Sequence, residues 1–133
     1  MQKQQSGFTL IELIAVLVIL GILAATAVPK FIDLSDEAQT AATNSIAGSL
    51  ESASALNHAV DIAQEAGLTA DAPETVTDCT QAAILLAGEV MPTGYVLSPA
   101  GVIADREIAT CTVTHTASAD TANFALISAT PNP

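Results

Sequence analysis

Few side chains in this sequence are placed to do chemistry, and the first is a carboxylate among apolar neighbours. Glu12 is the only charge between Leu10 and Val28. A carboxylate at bilayer depth costs ~2.5–3.5 kcal/mol on insertion scales, and such residues usually mark function. Two roles are open to it. The first N–H groups of a helix lack partners and the macrodipole there favours an anion, so Glu12 can serve its own helix end or its own terminal amine. Alternatively it meets the amine of a second copy. That amine has a source: Ser6 and Gly7 are small residues where a processing enzyme can reach the backbone, and a cut between Gly7 and Phe8 leaves a new terminus one turn from Glu12.

The other reactive side chains assemble no catalytic pattern. Ser98 and the threonines have no GxSxG turn or nearby base. His58 and His115 lack acids at ligand spacing, and Asp71, Glu74 and Asp78 fit no calcium loop, so no metal, cofactor or enzymatic activity is expected. Two cysteines, Cys79 and Cys111, are either inert buried thiols or a disulfide. A membrane-anchored chain would expose them to an oxidising compartment, which favours the disulfide.

Composition narrows the class. The chain has 133 residues, enough for one small domain. Three basic residues face fourteen acidic ones, a formal net charge of -11. Nucleic-acid binding is therefore not expected, since it relies on Lys and Arg neutralising phosphates. Docking on anionic lipid is disfavoured for the same reason. Aromatic residues are few, and Trp is absent.

The elements that must position Glu12 begin with the run from Phe8 to Val28. As a helix it would be about 31 Å long, close to a bilayer core of ~30 Å. Its leader, "MQKQQSG", precedes the apolar run; in a secretory signal the apolar part lies before the cut and is discarded. Lys3 and the terminal amine on one side, with Asp33, Asp36 and Glu37 on the other, orient the N-terminus to the cytoplasm. Three segments result: residues 1–7 as leader, 8–28 as membrane or core helix, and 29–133 as the head.

Helical spacing continues past Pro29. Phe31, Leu34, Ala38, Ala41, Ala42, Ile46, Ser49, Leu50, Ala53, Leu56, Val60 and Ala63 form an apolar stripe, with Asp33, Glu37, Asn44, Glu51 and Asp61 largely off it. The later part of this stripe is expected to pack on the chain's own sheet, and Gly67 to stop the helix. Pro29 is expected to bend the helix, with Gly21 a second weak point. "DCTQAAILLAG" reads as a short helix capped by Asp78, with Gln81 three residues on and Gly88 as stop. "YVLS" and "VIAD" read as a hairpin around Pro99-Ala-Gly101. "EIATCTVTHT" reads as a half-buried strand with Ala109, Cys111, Val113 and His115 on one side, and "FALISAT" as a last strand after a turn in "ASADTAN".

The string "GFTLIELIAVLVILGILAATAVPKF" resembles the class III leader and stem of type IV pilins. Through "DLSDEA" it is most similar to pilins of the mannose-sensitive hemagglutinin (MSHA) type. The resemblance implies a prepilin peptidase that cuts after Gly7 and methylates the amine of Phe8. It implies that Glu12 is the assembly glutamate and Pro29 the helix-bending proline. It further implies an α+β pilin fold, a long N-terminal helix on a small C-terminal antiparallel sheet. The function implied is that of a structural subunit of an adhesive extracellular filament, a homo-oligomer built by inner-membrane assembly machinery from a single-pass precursor. A secretion pseudopilin shares this stem, and a single-span membrane-anchored periplasmic protein is the rival from outside the family.

Overall fold

The computed structural model describes residues 7–131, and the side chains of residues 28–33 lie outside the described set. The elements, in order, are α1 (Leu10–Glu65), a 3₁₀ helix (Cys79–Leu85), β1 (Tyr95–Ser98), β2 (Ile108–His115) and β3 (Thr121–Ile127). The chain divides into two compact units, residues 1–37 and 38–133.

In the first unit, the backbone is helical through both Gly21 and Pro29. Leu10–Ala27 is the one segment among the described residues that is long and apolar enough to cross a membrane, and none of it is buried. The leader residues before Gly7, Lys3 included, lie outside the described residues.

The second unit is an α+β head. Its three strands pair antiparallel in the order β1-β2-β3, with Leu97 opposite Val113 and Cys111 opposite Phe124. Alternation puts Cys111, Val113, Phe124 and Leu126 on the inner face, where they join Ala47 and Leu50 of α1 in the core. Leu50, Phe124 and Leu126 are almost fully buried, each contributing roughly 1.5–3 kcal/mol relative to an exposed side chain. The helix also serves the outer edge of β3. Ser54 exchanges hydrogen bonds with Ile127, and Glu51 accepts one from the Ala125 N–H. Edge groups that would otherwise invite another strand are thus occupied.

Several expectations need correction here. The helix face turned to the sheet takes in only part of the apolar stripe, Leu50 in the core and Ile46 against it, and is otherwise polar or small. Thr43, Ala47, Leu50, Ser54, Asn57 and Asp61 are buried, while Leu34, Ala38, Ala41, Ala42, Ser49 and Leu56 are exposed. Hydrogen bonding is the physical reason. Asn57 donates to the Glu74 carbonyl at 2.9 Å and accepts from its N–H at 2.8 Å, and Asp61 binds an arginine. Buried polar groups with partners carry little desolvation penalty.

The strand β1 pairs with β2, not with "VIAD". Residues 102–105 form no strand because their neighbours tie them to the 3₁₀ helix: Gly101 N–H donates to Asp78 and Ile103 N–H to the Thr77 carbonyl. The short helix itself is 3₁₀. Asp78 caps it as expected, but Gln81 accepts from Thr77 N–H, one residue earlier than a capping box requires. Strand β3 begins at Thr121, inside the segment expected to turn.

The end of α1 follows the sequence. Gly67 has φ +68, Leu68 N–H donates to the Ala63 carbonyl and Gly67 N–H to that of Gln64. That pair of bonds is a Schellman stop, which favours glycine at the left-handed position.

Candidate functional site

At the start of α1, Thr9 is the residue just outside the helix and Glu12 lies in the first turn. Glu12 Oε2 accepts from Thr9 N–H at 2.9 Å and from Thr9 Oγ1 at 2.7 Å. Thr9-Leu-Ile-Glu12 is the spacing of a capping box, in which the third helical residue reaches back to the N-cap backbone. This structure realises that half of it. The sequence signal was available in the threonine three residues before the acid. Both bonds fall on one carboxylate oxygen, so the capping role engages no hydrogen bond at Oε1 among the described residues.

Phe8 is 85 % exposed. A Cβ built at Gly7 would meet nothing within 4 Å. Among the described residues, the chain's own packing makes no demand for glycine there. Gly21 likewise has open space around it. What the apolar span of the first unit offers chemically is one carboxylate, Glu12, fixed by its neighbour Thr9.

Cys79 and Cys111 are joined in a disulfide, with Cα atoms 5.5 Å apart and both residues buried. It ties the start of the 3₁₀ helix to the centre of β2. The same turn is held from outside by Asp78, whose carboxylate accepts from Thr80 N–H, Thr80 Oγ1 and Gly101 N–H. The Thr80 side chain, then the backbone donors, hold the Asp78 carboxyl below its ordinary pKa.

Arg106 was not singled out by sequence reasoning. It is the only Lys or Arg after Lys30, and that isolation in so acidic a chain was the available signal. Its Nε donates to Asp61 Oδ2 at 2.8 Å and its Nη1 pairs with Glu65 Oε2. These two carboxylates raise the guanidinium above its already high ordinary pKa.

The remaining reactive groups stay apart. His115 Nδ1 lies 2.8 Å from Ser118 Oγ, but that hydroxyl also donates to Asp120 at 2.6 Å on an exposed turn. The acid therefore binds the serine and not the histidine, unlike a hydrolase triad. Among the described residues no group of three His, Cys, Asp or Glu is placed to hold a metal. Asp71 bonds Thr69 and Asp78 caps its turn, so the acids considered for calcium do not converge.

These features define a class: a small disulfide-bonded α+β head whose helix is preceded by an unburied apolar span with one capped acid. Residues 2–28 match the family model described as the prokaryotic N-terminal methylation motif. Over 50 residues, 38 % of this chain and 43 % of the relative, the chain is 54 % identical to the type IV narrow pilus major component PilA5 of Thermus thermophilus. Over 38 residues, 29 % of this chain and 27 % of the relative, it is 58 % identical to the type II secretion system core protein G of Pseudomonas aeruginosa. The chain thus spans less than half the length of the curated relatives it matches. No solved structure gives a significant match. The chain is similar to type IV pilins and to secretion pseudopilins, and both relatives are named as components of larger assemblies.

Proposed function

We propose that this chain is the structural subunit of an extracellular type IV filament. It is held in the inner membrane as a precursor, cut after Gly7 by a prepilin peptidase and methylated on Phe8. The observation that carries the reading is the methylation motif over residues 2–28, lying on a helix whose apolar span Leu10–Ala27 is wholly unburied. Such a span needs lipid or other copies of itself. In the precursor, lipid supplies the cover. In the fibre, neighbouring stems replace it, each burying apolar surface worth ~25 cal/mol per Å². The fourteen acids of the chain keep the fibre dispersed in water.

On this reading Glu12 selects the register. The amine of an entering Phe8 lies level with Glu12 of a neighbour, and a stagger that leaves either charge unpaired is penalised. The capping by Thr9 is compatible with that role, because it engages only Oε2. The finer resemblance, to adhesive pilins of the MSHA type, gives attachment to surfaces as the purpose of the fibre.

A second reading has its own support. The similarity to a type II secretion core protein favours a pseudopilus, a filament of the same stem that serves secretion. Mass spectrometry of protein sheared from cell surfaces tests both. Methylated Phe8 as terminus in surface filaments supports the pilus. The same terminus found only in the cell envelope supports the pseudopilus. An uncut leader rejects both and leaves the membrane-anchored protein.

A further inference from the structure

Two features of the head lie at opposite ends of the 3₁₀ helix. At its last residues Leu85 and Leu86, with Val90, face Ile46, Ser49 and Ala53 of α1 across a groove of about 450 Å³. Every residue that lines this groove is uncharged. Ser49 is the one polar side chain in the lining, and it already donates to the Ser45 carbonyl at 2.9 Å. Glu89, next to Val90 in sequence, lines a different hollow with Thr80, Gln81 and Ile84. Glu74 lies farther along, beyond Ala53 and Leu85. At the first turn of the 3₁₀ helix stands the loop that follows β1. Its Val102 is 92 % exposed, the most exposed large apolar side chain among the described residues. The loop behind it is pinned. Gly101 N–H donates to Asp78 at 2.6 Å, Ile103 N–H to the Thr77 carbonyl at 2.7 Å, and the Ile103 side chain is buried.

We propose that Val102 of one copy of this chain inserts into the groove of the next, joining the heads knob to groove. The proposal rests on the filament reading and gives the heads a contact of their own. Three observations choose the Val102 loop of a second copy as occupant. The first is charge. Copies of net charge -11 repel wherever their acids meet, and like charges set against each other across an interface cost affinity. Residues 95–104 carry no charge, and neither does the groove lining. The acids that flank the knob are engaged, Asp78 by Thr80 and Gly101, and Asp105 by Thr130. Other exposed apolar side chains stand beside charges: Leu68 lies between Glu65 and Asp71, and Ile108 follows Arg106 and Glu107. The second is rigidity. A side chain held out on a pinned backbone loses little freedom when a partner covers it, so more of the apolar burial is kept as affinity. The third is position. The 3₁₀ helix has seven residues, ~14 Å at ~2.0 Å each. Its first turn holds the knob and its last residues wall the groove, so the two patches are distinct. A contact between distinct patches is heterologous and repeats from copy to copy, as an open filament requires, whereas a self-complementary patch stops at a dimer.

The test uses full-length protein in three forms: Val102→Cys, Ser49→Cys, and the chain carrying both. Assembled filaments are treated with a short bismaleimide and run on a denaturing gel. The expected result is a ladder of dimers, trimers and longer chains from the double variant, with neither single variant cross-linked. No ladder from the double variant overturns the contact. So do dimers from either single variant, which would join knob to knob or groove to groove, and so does a cross-link to a different protein. Val102→Asp gives a second measure, and it decides where a cysteine variant fails to assemble. Val102 is nearly free of contacts in its own head, so the isolated subunit should melt with the parent. Its filament yield should fall several-fold while cut, disulfide-bonded subunit persists in the membrane. A yield equal to that of the parent overturns the contact. If the unsubstituted chain forms no filaments, the filament reading itself falls, and that failure is visible before any variant is examined.

Discussion

Arg106 Nε lies 2.8 Å from Oδ2 of Asp61, a carboxylate only 1 % exposed near the end of α1. The arginine comes from the loop between β1 and β2, and its backbone sits at φ +60. That left-handed conformation is uncommon for a residue with a Cβ. The loop adopts it with Arg106 N–H bonded to the Ser128 carbonyl and the side chain aimed at the helix. One side chain thus fastens the loop to α1.

Arg106→Gln should destabilise the head, because it leaves Asp61 buried beside a neutral partner. Arg106→Gly removes the same charge but suits the backbone better. The glycine variant should therefore melt above the glutamine variant and below the unsubstituted protein. Thermal unfolding followed by circular dichroism checks the order. A glutamine variant as stable as the parent would show that the ion pair contributes nothing.

Asp78 gives a pH dependence whose sign follows from its lowered pKa. A carboxyl that is more acidic folded than unfolded contributes stability fully present above its unfolded pKa of ~3.9, and lost as pH falls through its folded value. Asp78→Asn should be less stable than the parent at neutral pH, since an amide cannot accept from both Thr80 and Gly101 while donating to neither. The difference should hold down to about pH 4 and shrink below it. Denaturant midpoints of the two proteins between pH 7 and 2, compared at each pH, cancel the effect of the other acids. A difference unchanged at pH 2 would rule out the charge as its cause.

The disulfide spans a sequence separation of 32 residues. Closing a loop of that length removes roughly 3.5–4 kcal/mol of denatured-state entropy in the chain-entropy model. Cys111→Ser should therefore lower the unfolding midpoint and the amount of subunit in cells. It also places a hydroxyl at a site 0 % exposed, so replacing both cysteines with alanine should do less harm than the single serine. Alkylation of unsubstituted protein should find neither thiol. Two reactive thiols in shed filaments would contradict the bond.

The sequence made some of this legible for local reasons. Gly67 ends α1 because its stop depends on residues within one turn. Asp78 caps its turn through Thr80, two residues away. The Cys79–Cys111 pairing needed no geometry, since no other cysteine exists. What failed depended on distant partners. Asp61 reads as off the apolar stripe, and Thr43, Ser54 and Asn57 have no place on it. The groups that receive three of them, Ile127, Glu74 and Arg106, are 17 to 73 residues away in the chain. The "VIAD" strand failed likewise, because Asp78 and Thr77 claim that segment. Hydrophobic period placed Leu50 in the core and Ile46 against it correctly, and missed the polar positions that share that face.

Gly21 and Pro29 bound the part of α1 where helical hydrogen bonds are easiest to lose, since proline removes a donor and crowds the preceding turn. In the single subunit the backbone there is helical. The resemblance to type IV pilins implies that this stretch unwinds in a packed fibre. A density map of the filament checks it. Unbroken helix from Gly21 to Pro29 in the fibre would reject the unwinding.

Thr9 and Glu12 allow capping and recruitment to be separated. If Glu12 only caps its own helix, Glu12→Gln keeps an oxygen that can accept from Thr9 N–H. The loss is then a dipole contribution of ~0.3–1 kcal/mol, and assembly should be nearly normal. If the carboxylate also recruits the Phe8 amine of an entering subunit, charge is indispensable. Glu12→Gln should then abolish most filaments while cut subunit accumulates in the membrane. Thr9→Val divides the roles from the other side. It deletes the Oγ1 donor at 2.7 Å and leaves the Thr9 N–H bond and the charge in place. Under recruitment it should assemble far better than Glu12→Gln; under capping alone, both variants should assemble alike. Filament yield by shearing, with cleavage scored on the same gel, measures both. Parental yield from Glu12→Gln, with cleavage intact, would refute recruitment and leave Glu12 as a cap.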